Sequence, residues 1–225
     1  MGAWLWKLRQ TFLETGYYRL MLEGLGNTVV ITLGALLIGV AIGTLIAVTK
    51  FLCEEKCKAL AWLCDAYVKV IRGIPVVVLL LIFYFVILTS AEGTVVAVLT
   101  FGINSGAYMA ELIRSGIHAV DFGQMEAGRS LGLSKLQTMR RVIFPQAVRY
   151  ILPAIGNEFI ALLKETSVAG YVTVVDLTRA GNLVRNNTYD AVNPLLLVAV
   201  LYLVMVLLLT FGLEKLEKRM SIGKR

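Results

Sequence analysis

The sequence predicts an all-α integral membrane protein with five spanning helices, its N-terminus outside and its C-terminus inside. Two observations carry this. The 225 residues are 58% hydrophobic and only 16% charged, with a mean hydropathy of +0.76, whereas soluble domains carry about 25% charged residues. That apolar content also falls into uncharged runs of membrane length: 24–49, 73–91, 93–110 and 191–213. Each run is near or above the ~20 residues that cross about 30 Å of hydrocarbon as a helix. A fifth stretch, about 148–171, is apolar but interrupted by Glu158, Lys164 and Glu165. Read as a span, it requires those ionisable groups to face protein or a water-filled cavity. A β-barrel is the alternative architecture, but Pro194 to Leu209 is apolar on every face, which a barrel strand is not.

The net charge of +7 invites a nucleic-acid reading, and its distribution argues against one. Segments 50–72, 114–149 and 215–225 hold 16 of the 22 Lys and Arg. Placing them inside satisfies the positive-inside bias with an odd number of spans. Residues 1–23 mix charges among aromatics, with no short apolar core and small-residue cleavage site as a signal peptide has. They are expected to form an N-terminal amphipathic segment on the outer leaflet, with Trp4, Trp6 and Tyr17 at the interface. The expected permease domain follows at 24–213, and a cytoplasmic basic tail at 214–225.

Catalytic and metal chemistry find little support. Cys53, Cys57 and Cys64 lie on the cytoplasmic side, where thiols stay reduced, and a CxxxC pair with the lone His118 elsewhere makes a poor zinc site. There is no GxxxxGK[ST] phosphate loop, no HExxH and no Ser/His/Asp set. No enzyme activity and no cofactor on this chain are expected.

The longest cytoplasmic connection runs from about Arg114 to Tyr150. Asp121 is placed to cap a short helix, DFGQMEAGRSL, which ends at Gly132. Ser134 with Gln137 three residues on forms a capping box for a second helix, which Pro145 is expected to close. Gly132 supplies either a sharp turn or a plain helix C-cap. By itself the first helix reads as a surface helix covering the end of the bundle, or as one presented to a partner.

Glu126 to Pro145, EAGRSLGLSKLQTMRRVIFP, resembles the EAA motif of membrane subunits of ATP-binding-cassette importers. Glu126, Ala127, Gly132 and Pro145 match, while Gly128, Val142 and Phe144 replace Ala, Ile and Leu. RGIP at Arg72–Pro75, NSGAYMAE at Asn104–Glu111 and GNEFIALLKETS at Gly156–Ser167 resemble the polar-amino-acid permeases, the histidine, arginine and glutamine uptake group. The resemblance covers about residues 24–213. It implies a five-span type I importer permease core in a bacterial or archaeal plasma membrane, and a second permease subunit, expected to be an identical copy. Two ATPase subunits carrying the ATP and magnesium, and an external substrate-binding protein, complete the implied assembly.

The resemblance further implies that the helix around Glu126 (Glu126, Ala127, Gly128, Arg129, Gly132, with Pro145) docks on the ATPase and couples its closure to alternating access. Arg129, Arg140 and Arg141 either pair with acidic groups there or only serve the inside bias. For a polar, cationic L-amino acid, the expected contacts are Glu158, Asn104, Tyr108, Asn157, Glu165 and Arg72. Glu158 and Glu165 are seven apart, and Asn104 and Tyr108 four apart, so each pair shares a helix face. A carboxylate suits an ammonium or guanidinium. Equally, Glu158 could pair inside the bundle and only hold helices together. GxxxG pairs at Gly39/Gly43 and Gly102/Gly106 are expected to pack helices within one subunit rather than at a dimer seam. A secondary amino-acid transporter or a channel is the rival reading, though secondary transporters usually carry internal repeats, and no duplicated half is visible.

Overall fold

The computed structural model describes residue 12 and residues 15–53 and 57–221. Among them every regular element is helical. In chain order these are α1 (Tyr17–Cys53), α2 (Lys58–Gly73), α3 (Val76–Ile82) running into a π turn (Phe83–Ile87), α4 (Gly93–His118), α5 (Gly123–Ser130) and α6 (Lys135–Thr138). A second π turn (Met139–Ile143) leads into α7 (Phe144–Glu165), followed by a 3-10 segment (Thr166–Val172), α8 (Leu177–Thr188) and α9 (Val192–Ser221). Trp4 and Trp6 lie outside the described residues; Tyr17 is the first residue of α1.

Helices α1, α4 and α9 are long and apolar enough to cross a membrane, and α2–α3 makes a fourth if the bent pair is one span. The bend is 104°. It falls at Ile74–Pro75, where Pro75 removes an N–H and disfavours helix at the residue before it. The uncharged run 73–91 is therefore not one straight helix. Segment 50–72, expected as a connection, is mostly α2, whose apolar positions follow the helical period. The connection 166–193 likewise holds the 3-10 segment and α8. The expected boundary at residue 23 falls inside α1, and α9 carries the tail to Ser221.

Contacts divide the chain into two units. The first comprises Met1–Leu37, Ile74–Gly102 and Ala161–Leu208; the second, Ile38–Gly73, Ile103–Ile160 and Leu209–Arg225. In the first, Ile31, Leu80, Phe101, Leu162 and Val172 form a buried core. A second core sets Met21 against Leu177, Ala180, Val184 and Val198. Asp176 is fully buried and caps α8 by accepting from the Thr178 and Arg179 N–H groups. Thr28 accepts the next N–H, that of Leu177, at 3.1 Å, and Arg179 Nη1 donates to the Gly170 carbonyl. The start of α8 is thus satisfied group by group.

In the second unit α1 packs on α4 through its GxxxG pair. A Cβ on Gly39 would lie 2.8 Å from Ser105 Oγ, and one on Gly43 2.4 Å from Met109 Cβ. Gly106 returns the contact, against Ile42. The packing is within one chain, as expected, and rests on close approach because lipid supplies no hydrophobic drive between helices. Ile113, Val120, Ile143, Ala147 and Ile151 form a further buried cluster in this unit.

Candidate coupling loop and substrate-lining residues

The α5–α6 connection is built from local hydrogen bonds. Asp121 Oδ1 accepts the Gly123 N–H at 2.6 Å, so the carboxylate does serve the start of α5, although Phe122 occupies the cap position itself. At the other end Gly132 sits at φ +82°. Its N–H donates to the Arg129 carbonyl, and the Leu133 N–H reaches back to that of Gly128. These two bonds make a Schellman ending, so turn and C-cap are one device. Ser134 and Gln137 then form the full capping box: Gln137 N–H to Ser134 Oγ at 3.2 Å, and Ser134 N–H to Gln137 Oε1 at 2.8 Å.

Pro145 does not close the second helix. Helix continues from Lys135 to Glu165, with the π turn at Met139–Ile143 immediately before the proline. The Phe144 N–H donates five residues back, to the Met139 carbonyl. A proline inside a regular helix would drive its ring into the carbonyl four residues earlier. The wider turn gives that carbonyl room, so the chain passes Pro145 without stopping.

Glu126, Ala127 and Arg129 are exposed, and only Gly128 of this run is buried. Its departure from alanine has a steric cause: a Cβ there would stand 2.4 Å from Thr138 Cγ2. Helix α5 is therefore pressed onto the α6 end through Gly128, and presents Glu126, Ala127 and Arg129 outward. Phe122 is 74% and Leu131 83% exposed. Two large exposed apolar side chains thus flank the exposed Glu126 and Arg129.

Among the residues expected to contact substrate, the structure brings Arg72 and Tyr108 together, with the guanidinium 5.0 Å from the ring centroid. Cation–π geometry of this kind holds the cation over the ring face. Asn104 is buried, at 3% exposure, one turn before Tyr108. Asn157 is exposed and Glu158 half-buried on α7, and Glu158 is itself engaged in a contact. Glu165 is the last residue of α7 and belongs to the first unit, Glu158 to the second.

Sequence reasoning missed Tyr67. Its hydroxyl donates to the Ile103 carbonyl at 2.6 Å and lies against Gly106, which ties α2 to α4. The apolar period of KALAWLCDAYVKVIRG was the available signal.

The profile of the family described as "Binding-protein-dependent transport system inner membrane component" matches residues 39–222. The probable glutamine ABC transporter permease protein GlnM of Bacillus subtilis (strain 168) is 35% identical over 209 residues, 92% of either chain. The arginine transport system permease protein ArtQ of the same organism is 34% identical, over 89% of this chain and 92% of its own. A solved chain described as an amino acid ABC transporter with histidines superposes with a TM-score of 0.86 at 39% identity, over 92% of this chain and 96% of its own. A methionine ABC transporter chain, MetNI, shares the fold alone, with a TM-score of 0.77 at 22% identity. The chain belongs to the family of binding-protein-dependent transport system inner membrane components, the membrane permeases of ABC transporters.

Proposed function

We propose that this chain is the membrane subunit through which an ATP-driven importer moves a polar, cationic L-amino acid inward. The observation that carries the coupling half is the exposed α5 surface: Glu126 and Arg129 flanked by open Phe122 and Leu131, on a helix fixed by a Schellman turn and by Gly128 packing. Such a surface fits a cleft of an ATPase subunit that holds ATP and magnesium. Two ATPase subunits, a second copy of this permease and an external binding protein complete the assembly, in a bacterial or archaeal inner membrane. Five spans are proposed: α1, α2–α3, α4, α7 and α9. Helix α7 has 22 residues, enough for about 33 Å. This places α5 and α6 inside, α8 outside, the N-terminus outside and the C-terminus inside.

Alternating access needs a two-state bundle whose equilibrium the ATPases bias. The substrate contacts are Glu158 for a cationic group, with Asn104, Tyr108, Asn157, Glu165 and Arg72 supplying the remaining polar lining. The carboxylates of α7 support a cationic substrate, as do similar proteins named for arginine and described with histidines; the glutamine relative supports a neutral polar one. The test is reconstitution with ATPase and binding protein, and ATP turnover with arginine, histidine, lysine and glutamine. Stimulation by a cationic amino acid, lost in Glu126→Arg while the subunits still fold, is the expected result. Failure of any ATPase to assemble with the wild-type chain would sink the reading.

A further inference from the structure

Arg72 of α2 and Tyr108 of α4 meet within the second unit, and the groups around them decide what that guanidinium is free to hold. Among the described residues Arg72 makes no ion pair and no hydrogen bond. It stands over the Tyr108 ring, which orients a guanidinium and leaves its N–H groups open. It is exposed although it lies in a proposed span, so it must face water or protein rather than lipid. The carboxylate suited to answer it is Glu111, three residues on from Tyr108 on the same face of α4 and within reach of the Arg72 charge. That carboxylate is already taken. Arg114, one turn further on, holds both of its oxygens: Nε donates to Oε2 at 3.0 Å and Nη2 to Oε1 at 2.5 Å. Asp65, whose charge also acts on Arg114, is paired with Lys50. Arg72 is therefore a forked donor that no carboxylate among the described residues fills, and Arg114 is what keeps it so.

A planar guanidinium fixed over an aromatic ring matches the two oxygens of a carboxylate, and every amino acid carries a carboxylate beside its ammonium. We propose that Arg72 receives the α-carboxylate of the substrate, and that Arg114 is a positioning residue that withholds Glu111 so that this site stays open. With Arg114 in place, Glu111 is answered on its own helix. Without it, Glu111 is free to pair with Arg72 and close the site from within. The inference rests on the reading of this chain as an amino-acid permease. It concerns the end that cationic and neutral amino acids share, so it does not depend on Glu158.

The test is equilibrium binding of radiolabelled arginine to the full chain in lipid nanodiscs, with agmatine, which is arginine without its carboxylate, as competitor. Wild type is expected to prefer arginine by about tenfold or more, the worth of a charge-assisted fork. Arg72→Gln should abolish that preference. Arg114→Gln should abolish it too, weakening arginine about tenfold and leaving agmatine little changed. Adding Glu111→Gln to Arg114→Gln should restore the preference, which a merely structural pair would not do. Arg114→Lys, which still holds Glu111 by charge, should keep most of it. If Arg114→Gln does not fold, Arg114→Met carries the same comparison. Preference retained in Arg114→Gln, or not restored in the double variant, would overturn the role of Arg114. Equal binding of arginine and agmatine by wild type would overturn the carboxylate site. Glutamine against 4-aminobutanamide, its decarboxylated counterpart, is run in parallel and should show the same pattern. Wild type that binds glutamine and not arginine overturns the cationic reading alone, and the variants still decide Arg72; wild type that binds neither overturns both.

Discussion

Two glycines of the α5–α6 loop do different work, and substitution separates them. Gly128 is short of space, so Gly128→Ala should lower stability by about 1–3 kcal/mol through overpacking. Pairing it with Thr138→Ala removes the methyl it meets at 2.4 Å and should recover much of the melting temperature. Gly132 has nothing within 4 Å of an added Cβ and fails on backbone alone. Gly132→Ala should cost about 1–2 kcal/mol, and Gly132→Asn less, because Asn tolerates the left-handed region. Should Gly132→Ala and Gly132→Asn melt together, the backbone account is wrong. Asp176 supplies a pH test. Burial pushes its carboxyl above the ordinary range, against the opposing pull of the Thr178 and Arg179 N–H groups. The folded chain thus holds that proton to higher pH than the unfolded chain. Stability falls as pH rises from the ordinary carboxylate value through the raised one. Asp176→Asn keeps an acceptor for α8 and should flatten this dependence, whereas Asp176→Ala should lose about 1 kcal/mol of capping. A thermal-shift series across that window, on all three proteins, decides it.

At the scale of elements, what could be read in advance followed from local rules. The Ser134–Gln137 box and the Gly132 turn sit within a few residues of their cause, and the structure contains both; the Gly39/Gly43 spacing marked a close-packing face without naming its partner on α4. The misses have a common origin. Pro145 was read by the rule for regular helix, and a π turn suspends that rule. Helices α2 and α8 hide in segments whose charges make them look like connections, yet both are amphipathic by period. The meeting of Arg72 with Tyr108 joins residues 36 positions apart, and no local pattern announces it. Tyr67 gives the element-scale test: Tyr67→Phe removes the donor to the Ile103 carbonyl and should cost about 0.5–1.5 kcal/mol, read as a lower melting temperature. An unchanged melting temperature would mean that bond does not tie α2 to α4.

For the whole molecule, composition alone indicated a helical membrane protein, while the Glu126–Pro145 pattern indicated which kind. The pocket was less legible than the loop. The proposed coupling surface is a contiguous stretch, whose spacing is visible in one dimension. The proposed substrate site draws residues from α2, α4 and α7, of which Arg72 and Tyr108 meet. Transport assays therefore discriminate best between the two sets. Glu126→Arg should uncouple turnover for every substrate alike. Glu158→Gln should weaken uptake of a cationic amino acid more than of glutamine, and equal losses for both would remove Glu158 from the recognition of charge.

The turn at Met139–Ile143 carries a lesson in phase. A π turn holds one residue more than the helix around it needs, so it works as a built-in insertion. A helical wheel drawn through Lys135–Glu165 at constant pitch slips at that point, and every face assigned beyond it is rotated against those before. Deleting Val142 would remove the absorbed residue and restore constant pitch, leaving the segments on either side in nearly their present relative rotation but setting the Pro145 ring against the carbonyl four residues earlier. In homologues and grafts of this loop a one-residue gap therefore belongs at this turn, because a gap anywhere else in the helix rotates every face beyond it by about 100°.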